Sequence, residues 1–155
     1  MRAIVGLVVL LMSLPAAAAR DSLFGLWKTV DDQTKEIGSV VEIYEKEGKL
    51  FGKIIKLFPK EGEDPNPVCV KCDDHRKDQP IIGLNIIEGL SKDGDEWEGG
   101  TVLSPGEGKV YKCKIWLEDG KLKLRGYVGF IYRTQTWEPY EEDEAVESAS
   151  ADSAE

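Results

Sequence analysis

Residues 63–75, EDPNPVCVKCDDH, gather most of the chain's reactive side chains: Cys69, Cys72 and the single histidine, His75, with Cys113 as the one remaining cysteine. Three chemistries use such a set. A catalytic redox pair requires a thiolate stabilised by a helix N-terminus or by cations, yet Cys72 runs straight into Asp73 and Asp74, which raise a thiol's pKa, and Lys71 is the only adjacent counterweight. A structural zinc site could draw on Cys69, Cys72, His75 and Cys113, which together make the Cys₃His count that tetrahedral zinc accepts. A disulfide leaves one cysteine over. Cys69–Cys72 would close a tight local turn, whereas joining either to Cys113 would clamp this segment to a distant strand. Cys113 falls on an apolar strand face, where cysteine is commonly a small buried hydrophobe. The favoured expectation is therefore a Cys69–Cys72 disulfide, a free buried Cys113, and no metal or other cofactor.

The compartment points the same way. The chain opens with MRAIVGLVVLLMSLPAAAA: one arginine, an apolar run from Ala3 to Leu14, a proline, and an Ala-x-Ala step at Ala17–Ala19. That pattern reads as a cleavable signal peptide over residues 1–19, too short for a stable membrane span, and implies a periplasmic or secreted protein in which disulfides persist. At the other end, residues 138–155 carry eight acids and no base. So little apolar surface cannot offset the entropy of ordering, and the segment is expected to be a disordered acidic tail. Between them, residues 20–137 hold 19 bases and 21 acids. This nearly neutral unit has no basic excess for phosphate contacts, so nucleic acid is not an expected partner. Its roughly 118 residues are enough for one core.

The elements that must position these residues are strands. Eight β-rich runs, at 23–30, 39–45, 49–58, 79–90, 95–104, 108–118, 121–130 and 131–137, are separated mainly by short Gly-bearing connections of hairpin size. No turn signal divides the last two, which could be one bent strand. Alternation sets the faces: Tyr111, Cys113, Ile115 and Leu117 against Lys112, Lys114 and Trp116; then Leu122, Leu124, Gly126, Val128 and Phe130 against Lys123, Arg125 and Tyr127. A sheet with one apolar face and no helix to cover it must pack on a second sheet or close on itself. An unbroken meander favours closure, and Gly52, Gly83, Gly99, Gly126 and Gly129 suit the bends that closure needs. The expected fold is all-β, a single eight-stranded antiparallel up-and-down β-barrel with one long loop, residues 59–79. A connection of that length is expected to be a lid, a binding loop or a restrained segment.

Several blocks carry a resemblance. GLWKT, VVEIYEKEGKLFGKI, EDPNPVCVKC, QPIIGLNII, WEGGTVL, YKCKIWLEDGKLKLRGYVGF and RTQTW, spread over residues 23–137, resemble the bacterial exported family known as domain of unknown function 2147. The resemblance implies a small lipocalin-like (calycin-like) barrel without an established enzymatic activity. Gly25-Leu26-Trp27 is similar to the Gly-x-Trp of lipocalins, and Arg133 to the basic residue that lies across that tryptophan. A guanidinium over the indole face at one barrel end is the implied arrangement.

Two functional readings follow. In the first, the barrel binds a small apolar or amphipathic ligand, with Tyr111, Ile115, Leu122 and Leu124 as inward-facing candidates, Trp27 near the closed end, Arg133 beside it, and the long loop as lid. In the second, loops and exposed aromatics such as Trp116 and Tyr127 contact a protein or glycan, with no particular protein partner implied. Catalysis is not expected: the chain has no Gly-x-Ser-x-Gly, one loop histidine, and strand carboxylates, Glu42 and Glu88, that nothing pairs for acid–base work.

Overall fold

The computed structural model describes residues 21–142; the expected signal peptide over residues 1–19 and the part of the expected acidic tail beyond Glu142 lie outside the described residues. Eight strands follow in order: β1 (Gly25–Val30), β2 (Ile37–Lys46), β3 (Lys49–Leu57), β4 (Asn85–Asp93), β5 (Glu96–Ser104), β6 (Lys109–Glu118), β7 (Lys121–Val128) and β8 (Ile131–Pro139). Each pairs antiparallel with the next, and β1 closes on β8 through Trp27↔Pro139 and Lys28↔Glu138, so the sheet is a closed barrel in sequence order. Among the described residues there is no helix, and hence none long and apolar enough to cross a membrane.

Two-residue turns set the registers. Glu47–Gly48 and Asp119–Gly120 both hold φ positive at both positions, the type I′ geometry that matches strand twist. The β7–β8 boundary, silent at the level of turn signals, is another such hairpin. Gly129 sits at φ 61° between the paired residues Val128 and Ile131, where a first central position of type II′ favours glycine. Phe130 therefore leaves the inner face on which alternation placed it and stands in the turn, 98% exposed.

The expected strand 79–90 starts later, at Asn85. Pro80 cannot donate to a ladder and Gly83 adopts φ 92°, so residues 79–84 stay with the loop. There Cys69 N–H donates to Gln79 O at 2.9 Å and Ile81 N–H to Pro67 O at 3.0 Å. At the other end β8 runs to Pro139 and Tyr140 is buried, with its N–H donating to Leu26 O at 3.0 Å, so the barrel extends three residues past Trp137.

The core lies at one end. Trp27, Val41, Ile43, Leu50, Ile87, Leu90, Ile115 and Leu122 are essentially without solvent contact and fill the barrel between the tight hairpins β2–β3, β4–β5 and β6–β7. Burial of each such side chain contributes roughly 1.5–3 kcal/mol. Trp27 Nε1 donates to Leu23 O at 2.7 Å, which satisfies the indole where the first and last strands meet. The other end, where β1–β2, β3–β4, β5–β6 and β7–β8 connect, is open.

Candidate functional site: the open end of the barrel

A cavity of about 590 Å³ enters the barrel at the open end. Its floor is apolar, formed by Ile54, Ile86, Leu103, Leu124 and Trp137. Alternation places Ile54, Leu124 and Trp137 inside, in the layer above the sealed core. One wall is polar. Thr29 and Ser39, opposite one another on β1 and β2, bring their hydroxyls to 3.0 Å, and Gln135 joins them from β8. Trp137 Nε1 donates to Gln135 Oε1 at 3.1 Å, which fixes the amide and leaves its Nε2 hydrogens for a bound acceptor.

The lip mixes charge and apolar surface. Tyr111 donates its hydroxyl to Glu107 Oε2 at 3.1 Å. Its pKa is raised, first by desolvation and then by the Glu107 carboxylate, so at neutral pH it is a protonated donor. Arg133 stands on the inner side of β8 in the same parity as Gln135 and Trp137, and its guanidinium donates from Nε and Nη2 to Asp32 Oδ2 at 3.3 and 3.2 Å. One guanidinium nitrogen, Nη1, remains for a ligand. Gly126 faces the cavity with ordinary backbone geometry, and a Cβ added there would meet nothing closer than Tyr111 Cβ at 3.8 Å.

The long connection, residues 58–84, contributes no side chain to this cavity. A second cavity of about 410 Å³ lies beneath it and shares Ser39, Ile54 and Pro105 with the first. Cys69 and Cys72 are joined in a disulfide and both are buried. With those sulfurs paired and Cys113 buried alone on β6, the four candidate zinc ligands are not assembled; among the described residues no three metal-ligating side chains cluster. Burial pushes the Cys113 thiol up to about 12.

What holds the segment is an ion cluster that the alternation pattern does not reveal. Arg76 is 3% exposed; its Nη2 donates to Asp74 Oδ2 at 2.6 Å and its Nη1 to Asn85 O at 3.0 Å, while Glu88 Oε2 lies 3.8 Å from Nη1. The Arg76 side chain and its backbone N–H lower the Asp74 pKa to about 2. His75 Nε2 approaches Glu88 Oε1 at 3.2 Å, so Glu88, with no partner assigned from its strand, bonds the loop to β4. Gly108, in the β5–β6 connection at φ 70°, presses against the loop so closely that a Cβ would fall 1.9 Å from Lys71 O. These ties make the segment a packed wall of the second cavity in place of the free lid its length suggests.

Of the six residues expected to contact ligand, three line the cavity: Tyr111, Leu124 and Arg133. Ile115, Leu122 and Trp27 lie in the sealed core below it. The implied Arg133–Trp27 contact does not form. Trp27 pairs with Pro139, six residues along β8 from Arg133, a separation of about 20 Å at the usual strand rise. Asp32 takes the guanidinium instead. Gln135 was within reach of the sequence pattern, since counting back by twos from Trp137 gives Gln135 and Arg133 on one face; Glu107, in a turn, carries no such signal.

Over residues 25–139 the sequence matches the family described as an uncharacterised protein conserved in bacteria, domain of unknown function 2147. The chain belongs to that family. Among solved structures, it is similar to protein HP1028 from the human pathogen Helicobacter pylori, described as belonging to the lipocalin family, with a TM-score of 0.67 and 20% identity over 81% of this chain and 88% of that one. At that identity the likeness concerns the fold alone: this chain is a lipocalin-like barrel. No curated protein matches the chain.

Proposed function

We propose that this family member is an exported, non-catalytic binding protein that holds one small apolar or amphipathic molecule in the open end of its barrel. The observation that carries the reading is the two-sided cavity: an apolar floor of Ile54, Ile86, Leu103, Leu124 and Trp137 beneath a rim with donors on Arg133 and Gln135. An apolar tail buried against the floor leaves an acceptor headgroup beside those donors, the usual division of labour in ligand sites. The lipocalin-like architecture of the solved relative supports the same use of the barrel mouth. Export is supported by the N-terminal pattern and by the buried Cys69–Cys72 disulfide; recovery of the protein outside the cytoplasm with an N-terminus near Arg20 tests it.

The direct test of binding is titration with N-phenyl-1-naphthylamine, followed by displacement with dodecanoic acid. Saturable emission at one site per chain, displaced by the acid, is the expected result. Emission that rises without saturation, or that dodecanoic acid leaves untouched, overturns the proposal.

A further inference from the structure

Exposed apolar side chains are distributed unevenly over the barrel. Of the large apolar residues exposed by more than a third among the described residues, all but Phe24 lie in the open-end connections or within two residues of them. The densest cluster is the β7–β8 hairpin, where Val128, Phe130, Ile131 and Tyr132 are 62, 98, 71 and 58% exposed. Burial elsewhere in the molecule is complete enough that this is not a poorly folded edge: Val128 and Ile131 are a regular ladder pair, and a tight turn displays Phe130.

The hairpin is also ordered by polarity from its tip inward. Phe130 is at the turn, Val128 and Ile131 follow, and Tyr127 and Tyr132 come next as a cross-strand pair with ring centroids 6.1 Å apart. Arg133 and Arg125 then lie one and two ladder steps further back. The Arg125 guanidinium sits 4.2 Å from the Tyr132 ring centroid, with its Nε donating to Thr134 Oγ1 at 2.8 Å. Apolar tip, tyrosine belt, then arginine is the sequence of environments met on leaving the hydrocarbon of a bilayer through its headgroups. A flat protein partner imposes no such gradient.

We propose that the β7–β8 hairpin inserts into the outer layer of a phospholipid bilayer and brings the cavity mouth against it. Val128, Ile131 and Tyr132 belong to the cavity lip as well as to the hairpin. Insertion thus gives an amphipathic ligand a path from lipid into the barrel without crossing water. That use rests on the ligand-binding reading above; insertion itself does not.

The test is flotation of the protein, as recovered from cells, with phosphatidylcholine vesicles. Wild type and Phe130→Trp should float, and Phe130→Asp should bind at least about tenfold more weakly, the factor expected for losing burial of one large apolar side chain. Gly126→Leu, which fills the cavity behind the hairpin, should float as wild type does. Matching melting curves for Phe130→Asp and wild type show that the loss is not unfolding. Wild type that stays with the unbound fraction, Phe130→Asp that floats unchanged, or Gly126→Leu that fails to float overturns insertion. So does a wild-type dimer in gel filtration that Phe130→Asp converts to monomer, which assigns the hairpin to a second copy. Vesicle binding by a protein that takes up no apolar probe refutes the ligand reading and leaves insertion standing.

Discussion

Filling the cavity from Gly126 should make the protein more stable and less able to bind. Gly126 lies on the inner face of β7 opposite Arg133, with no strained φ and 3.8 Å of clearance to Tyr111 Cβ. Gly126→Leu therefore enters space that the fold leaves empty. Relief of glycine's backbone entropy in a strand contributes about 0.5–1 kcal/mol, and half-burial of a leucyl side chain contributes about 1 kcal/mol more. Together these give about 1.5–2 kcal/mol, or a rise in melting temperature of several degrees for a domain of this size. The same four carbons displace ligand contacts worth about 0.8 kcal/mol each, so affinity for an apolar probe should fall by about 3 kcal/mol, roughly 100-fold. Urea denaturation and N-phenyl-1-naphthylamine titration on one preparation measure both. A variant that is less stable than wild type, or that binds the probe equally well, refutes the placement of the ligand.

Cys113, buried with its thiol pushed up to about 12, should resist alkylation by iodoacetamide at pH 8 in the folded protein and react readily in urea; rapid labelling of the native protein would contradict its burial. Asp74→Asn leaves the Arg76 guanidinium buried with Glu88 as its nearest remaining anion, and should cost about 2–3 kcal/mol at pH 7 by urea denaturation. Because the folded Asp74 pKa, about 2, lies below its ordinary value of 3.8, the contribution is present above about pH 4 and is lost as pH falls toward 2. The gap between wild type and variant should narrow over that window; a gap independent of pH would contradict the assignment. Gly108→Ala drives a Cβ into Lys71 O at a positive φ, and should cost about 2 kcal/mol or more while speeding amide hydrogen exchange across residues 69–81. Unchanged exchange there would show that the turn does not hold the wall in place.

Local rules carried most of the barrel. Gly-bearing turns marked the hairpins, alternation in VYKCKIWL and KLKLRGYV assigned faces that the structure keeps from Tyr111 to Leu117 and from Leu122 to Gly126, and the cysteine argument chose the pairing observed. What local rules could not supply was the register of closure. Which residue of β8 meets Trp27 depends on the stagger of all eight strands, so the Arg133–Trp27 contact failed by six residues although both side chains were on the correct strands. The sealed depth of Ile115 and Leu122 follows from that same stagger, since inward parity says nothing about height in the barrel. The wall segment was illegible for another reason. Arg76 reads as one more surface charge, and only its contacts with Asp74, Asn85 and Glu88 show it buried. Its role comes from residues 9 and 12 positions away meeting in space.

The ligand claim is tested most directly by native mass spectrometry of the protein recovered from cells that export it, beside Gly126→Leu prepared identically. Wild type should carry one small amphiphile per chain, released on collisional activation, and the variant should arrive without it. Wild type bare at every activation energy, or a variant that carries the same adduct, would contradict a binding site in the open end of the barrel.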